Sequence, residues 1–99
     1  MLTLTSKDNS NIKNTVKLKK SARYRRQSGL FIAEGLRVCC DAMLSNAEIQ
    51  ILFATEKAIE KNRDKFIELS DYSLKTFVVT EQIFSLISDT ETPQGFLCV

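Results

Sequence analysis

Lys13, Lys17, Lys20 and Tyr24 recur at i, i+4, i+7 and i+11 in a stretch free of glycine and proline. At 100° per residue that spacing gathers them within about 60° on one side of a helix. The chemistry they can do is anion binding. Ammonium groups neutralise phosphates, and a ring at the end of the row can stack on an exposed base. Lys19, Arg23, Arg25 and Arg26 thicken the same segment. Residues 1–26 hold eight basic side chains against Asp8 alone, a net +7. The other 73 residues hold six basic and eleven acidic ones, a net −5. A split of this kind aims a positive field at one partner surface. A solvated face that only keeps the protein soluble is the plain alternative. The angular clustering of the lysines and the lack of neutralising acids argue against it. A membrane-surface helix would need bulky apolar residues opposite its basic row. That side carries only Ile12, Val16 and Leu18, which the core also needs.

Catalytic chemistry is not legible. Histidine is absent, which removes the commonest general base and every Ser-His or Cys-His nucleophile. Gly29, Gly35 and Gly95 stand singly, without a phosphate-cradling loop. Cys39, Cys40 and Cys98 form neither a metal-ligand spacing nor a disulfide framework, and they are expected as reduced, core-facing thiols. No catalytic residue, metal ligand or cofactor site is therefore assigned to this chain. Glu34 alone looks specially placed, between a strand and a helix start. There it can favour the helix dipole, or contact Arg25 or a ligand.

The elements that must hold these residues follow from pattern. Residues 1–9 are polar and expected to be flexible. Ser10 can cap a helix that runs to about Ser21–Arg26 with Ile12, Thr15, Val16, Leu18 and Ala22 inward. Leu30–Ala33 reads as a buried strand, and 35–45 as a helix burying Leu36, Cys39, Cys40, Met43 and Ala47. Glu48–Ala54 alternates with Ile49, Ile51 and Phe53 on one side, as a strand does. Thr55 can cap a helix over 56–69 that buries Ile59, Phe66 and Leu69, with Ile67 at its edge. Asp71-Tyr72-Ser73 reads as a loop, and Thr76–Val79 as a third strand. Thr80 caps a short helix at 81–88 with Ile83, Leu86 and Ile87 inward. A polar loop at 88–95 precedes a last strand from Phe96. This α–β alternation implies a three-layer α/β/α sandwich with a largely parallel sheet.

Ninety-nine residues suffice for one domain. A hydrophobic content of 43% with 26% charged residues is that of a globular protein. No apolar run reaches the ~20 residues of a membrane span, and no leader pattern is visible. A cytoplasmic protein that binds an anionic partner, nucleic acid before a membrane surface, is the expectation.

Asn9-Ser10-Asn11-Ile12-Lys13, Lys17-Leu18, Tyr24-Arg25, Gly29, Phe31, Glu34-Gly35 and Thr92-Pro93-Gln94-Gly95 occur in this order along the chain. In order and spacing they resemble the N-terminal substrate-binding domain of SpoU/TrmH-type RNA ribose 2′-O-methyltransferases. Lys13, Lys17, Arg25 and Glu34 match family positions, while Lys19, Lys20, Arg23 and Arg26 enter through charge alone. Ser10 stands where many members have proline. The resemblance implies a fold similar to the kink-turn-binding ribosomal proteins of the large subunit. It also implies a catalytic domain after residue 99, knotted, binding S-adenosylmethionine and usually dimeric, so that the parent is a homodimer acting on ribosomal or transfer RNA. The chain stops within an apolar segment, which fits a continuation. Two other readings stay open at this point: a stand-alone kink-turn-type RNA-binding protein, and a protein-interaction or dimerisation domain.

Overall fold

The computed structural model describes the backbone of residues 3–4 and residues 8–90 and 93–99 in full. Among the described residues, five strands form one sheet: β1 (Thr3–Leu4), β2 (Ala33–Glu34), β3 (Ile51–Thr55), β4 (Lys75–Val79) and β5 (Phe96–Cys98), in the order β1-β4-β3-β5-β2. The described residues also form six helices: α1 (Ser10–Lys20), α2 (Ala22–Ser28), α3 (Leu36–Leu44), α4 (Glu56–Lys61), α5 (Arg63–Tyr72) and α6 (Glu81–Ile87).

The three layers follow from two apolar clusters on opposite faces of β3. Ile51, Phe53, Val79 and Leu97 meet Ile12 and Leu18 of α1 and Ile83, Phe84 and Ile87 of α6. Leu52, Ala54, Phe96 and Cys98 meet Cys39 of α3, Ala58 of α4 and Phe66 and Leu69 of α5. β3 is consequently buried along its whole length. Its alternation is only half the story, because both faces are roofed by helices. Ile49 precedes the strand and packs in the second cluster, not beside Ile51 and Phe53 as the alternation implies.

β1, β4 and β3 pair in parallel, whereas β5 runs antiparallel to both β3 and β2. The reversal follows from the length of what precedes it. α6 has seven residues, so it rises only about 10 Å. The following stretch then returns to the carboxyl end of β3, where the Thr55 N–H donates to the Gly95 carbonyl at 3.1 Å. Gly95 has φ +88°, and a Cβ there would stand 2.6 Å from Ala58 Cβ and Thr55 Oγ1. Only glycine closes this corner.

Several expectations are corrected. Asn9, not Ser10, caps α1, its side chain accepting from the Asn11 N–H at 2.8 Å. Within the polar lead-in, Thr3–Leu4 pairs with Val78 and Val79. The rest of that lead-in up to Lys7 lies outside the described residues. The expected strand at Leu30–Ala33 shrinks to Ala33–Glu34, because its ladder ends where β5 ends, at Cys98. The single helix expected over 56–69 breaks at Asn62, which leaves helical dihedrals with φ −139° and ψ 47°. Asp71 and Tyr72 belong to α5, not to the expected loop. Ala22, Ala47, Ile67 and Leu86 are exposed instead of buried. Thr55 and Thr80 cap α4 and α6 as their sequence positions imply.

Candidate nucleic-acid interface

The basic segment is a bent pair of helices. Ser21 leaves helical geometry at φ −122° and ψ 108°, and its hydroxyl caps α2 by accepting from the Tyr24 N–H at 3.0 Å. The bend changes what Tyr24 can reach. On a straight helix its Cα would lie about 10 Å along the axis from Lys17 and about 15 Å from Asn14. Instead the Lys17 ammonium sits 4.2 Å from the ring centroid, and the Tyr24 hydroxyl donates to the Asn14 side-chain carbonyl. The ring is half-buried against the first cluster. Tyr24 thus holds α2 against α1, and one of its faces already carries a cation.

Arg25 is likewise turned inward. Its guanidinium donates to the Leu18 carbonyl at 2.6 Å and the Lys19 carbonyl at 3.1 Å. These are carbonyls of the last turn of α1, where a cation also complements the helix dipole. Lys19 reaches across to the Leu86 carbonyl at 3.3 Å and ties α1 to α6. Lys13, Lys17, Lys20, Arg23 and Arg26 are exposed. Of the eight side chains singled out by sequence, five therefore face solvent, and Lys19, Tyr24 and Arg25 brace the element that presents them.

Glu34 does not meet Arg25 by hydrogen bond. Its carboxylate accepts from the Ser88 hydroxyl at 2.5 Å, the Asp89 N–H at 2.9 Å and the Thr90 hydroxyl at 3.2 Å. It is a latch between β2 and the segment leading to Pro93-Gln94-Gly95. Thr92 lies outside the described residues. Cys39 and Cys98 are buried and Cys40 half-buried, all three as free thiols. The neighbouring Cys98 sulfur, together with burial, pushes the Cys39 thiol well above the ordinary range. Desolvation raises Cys40.

Two features were missed by sequence reasoning. Lys57 and Lys61 line a cleft of about 550 Å³ at the carboxyl end of β3, with Thr55, Asn62, Glu81 and Gln94. Their i, i+4 spacing was the available signal. This cleft has no aromatic or broad apolar wall for an adenine, so it does not fit S-adenosylmethionine. The second is Phe31, which stands exposed although it lies in an apolar run. Its place in the motif of Gly29, Phe31 and Glu34-Gly35 was the available signal, but the apolar run reads it as part of a buried strand. Among the described residues no buried side-chain nitrogen or oxygen lacks a hydrogen-bond partner. Among the same residues no helix is long and apolar enough to cross a membrane.

Compared with known proteins, residues 9–98 match the family model of the MRM3-like substrate binding domain. A solved RNA 2′-O ribose methyltransferase superposes with a TM-score of 0.79 at 21% identity, over 98% of this chain and 36% of that one. An rRNA methyltransferase from Sinorhizobium meliloti superposes at 0.72 with 25% identity, over 97% of this chain and 35% of that one. The AdoMet-bound form of an rRNA methyltransferase from the same organism gives 0.71, over 97% and 34%. The chain thus spans about a third of the length of these enzymes. No curated protein matches it significantly in sequence.

Proposed function

Because this chain belongs to the MRM3-like substrate-binding domain family, we propose that it holds RNA for an attached ribose 2′-O-methyltransferase domain. The methyl donor, S-adenosylmethionine, belongs to that second domain, which also makes the parent a homodimer. Its substrate is ribosomal or transfer RNA, and it works in the cytoplasm. The observation that carries the reading is the exposed basic row of Lys13, Lys17, Lys20, Arg23 and Arg26 on the bent α1–α2 unit. The mechanism of this domain is positioning. Fixed cations take the place of the counterions along the RNA backbone, and the released ions drive binding. Orientation then comes from the rigid bend at Ser21, so that the same phosphates are always met at the same angle.

The test is RNA affinity measured against salt. With about five phosphates engaged, the log–log slope should lie near −3.5 to −4.5. A flat response would sink the reading.

A further inference from the structure

We infer that Phe31 is the stacking platform for an unpaired nucleobase of the bound RNA. The inference rests on the RNA-holding reading and names the part of the RNA that this edge of the domain takes. Phe31 is 68% exposed, while Leu30 and Ile32 on either side turn onto the first apolar cluster. It stands two residues after Gly29, whose left-handed φ of 72° ends α2 and turns the chain away from the Arg25–Arg26 end. Phe31 lines a cleft of about 440 Å³ together with Lys19, Arg25, Ile32, Asp89 and Thr90. That volume lies within the range, about 300–1,000 Å³, of clefts that accept groups of small-molecule size.

The two cations of this cleft are held in place. Lys19 is anchored on the Leu86 carbonyl, and Arg25 on the carbonyls of Leu18 and Lys19. Both cations therefore line the same cleft as Phe31 and are held there before any ligand arrives. Glu34 also lines the cleft, but its carboxylate is already engaged by Ser88, Asp89 and Thr90. An aromatic face next to fixed cations is the chemistry of a nucleotide: the ring takes the base and the cations take the phosphate. A base inside a duplex has both faces covered by its neighbours. An unpaired base can lay a face on the ring, so the ligand is RNA with a loop, bulge or free strand. Tyr24 cannot serve equally, because Lys17 covers its ring and the cluster takes part of its surface.

The chain contains no tryptophan, so Phe31→Trp creates a single reporter at the site. The probes are single-stranded oligoadenylate and a blunt RNA duplex of equal length. Phe31→Ala should weaken oligoadenylate about tenfold, the effect of losing one stacked base. It should leave the salt slope, the duplex affinity and the melting temperature unchanged. Phe31→Trp should bind like the unaltered chain, with its emission quenched by oligoadenylate. Leu74→Trp, exposed and outside this cleft, should show no quenching. Oligoadenylate affinity of Phe31→Ala within twofold of the unaltered chain, or an unmoved emission from Phe31→Trp, would overturn the inference alone. An unaltered chain with no salt-dependent RNA binding would overturn the RNA-holding reading, and this inference with it.

Discussion

Glu34 joins two parts of the chain that are more than fifty residues apart, through three hydrogen bonds to Ser88, Asp89 and Thr90. Bonds to a charged acceptor are worth roughly 1.5–3 kcal/mol each, but those sharing one carboxylate do not add. Glu34→Ala is therefore expected to cost about 2–3 kcal/mol. In a domain of this size that lowers the melting temperature by at least about 8 °C. Glu34→Gln keeps an acceptor and should cost less. Thermal unfolding followed by circular dichroism decides, and equal melting of all three proteins would remove the latch. The thiols give a second residue-scale outcome. With Cys39 and Cys98 buried and Cys40 half-buried, a thiol reagent should label one cysteine quickly in the native chain and three after denaturation. Because Cys40 is raised by desolvation, its labelling rate should go on climbing above about pH 8.5, the ordinary thiol value. Fast labelling of all three native thiols would contradict the packing of α3 against β5.

At the scale of elements, the joint at Ser21 decides which side chains of α1 and α2 meet. Ser21→Ala removes the cap of α2, at about 1 kcal/mol, and favours a continuous helix. The melting temperature should fall by about 4–8 °C. The Lys17–Tyr24 contact should weaken with it, visible as a change in tyrosine fluorescence. A melting curve identical to that of the unaltered chain would show that the bend does not depend on the cap. This joint also marks the limit of what could be read beforehand. Thr55 and Thr80 announced their helices because each follows a strand pattern and precedes an apolar period. Ser21 and Asn62 lie inside patterns that stay helical on both sides, so local periodicity passes over the break. The break depends on tertiary contact: Tyr24 on Lys17 and Asn14, and two helices, not one, across the second face of β3. The short β2 and the inverted β5 were hidden for a related reason. A strand's length and direction depend on its partner, and β5 offers β2 two residues of ladder. The charge and helical spacing of Lys13, Lys17 and Lys20 were legible, since both are local properties. The inward turn of Tyr24 and Arg25 was not, because it follows from the bend at Ser21. Nor was Phe31, because an exposed ring within an apolar run looks like its buried neighbours.

Across the whole molecule, the two clusters on either side of β3 are joined at one corner, where Gly95 passes between Thr55 and Ala58. Gly95→Ala combines an unfavourable φ with a 2.6 Å overlap. The expected cost is about 3 kcal/mol, a large share of the ~5–15 kcal/mol that holds a domain together. The basic surface makes no such demand on the fold, which allows charge and stability to be separated. Lys13, Lys17 and Lys20 are exposed and lie on one element. Replacing all three by glutamate would turn the net +7 of residues 1–26 into +1, since each reversal changes the charge by two. Only the Lys17–Tyr24 contact is lost in the fold, about 0.5–1 kcal/mol, so melting should shift by no more than about 8 °C. RNA affinity should fall at least about a hundredfold near physiological salt, and the log–log slope should flatten by about 2, the share of three phosphates on a single strand. An unchanged slope would place the RNA on another face, the Lys57–Lys61 cleft being the next to try. A lost slope with intact melting would locate binding on the α1–α2 unit, with its orientation set by Lys19, Tyr24 and Arg25 beneath.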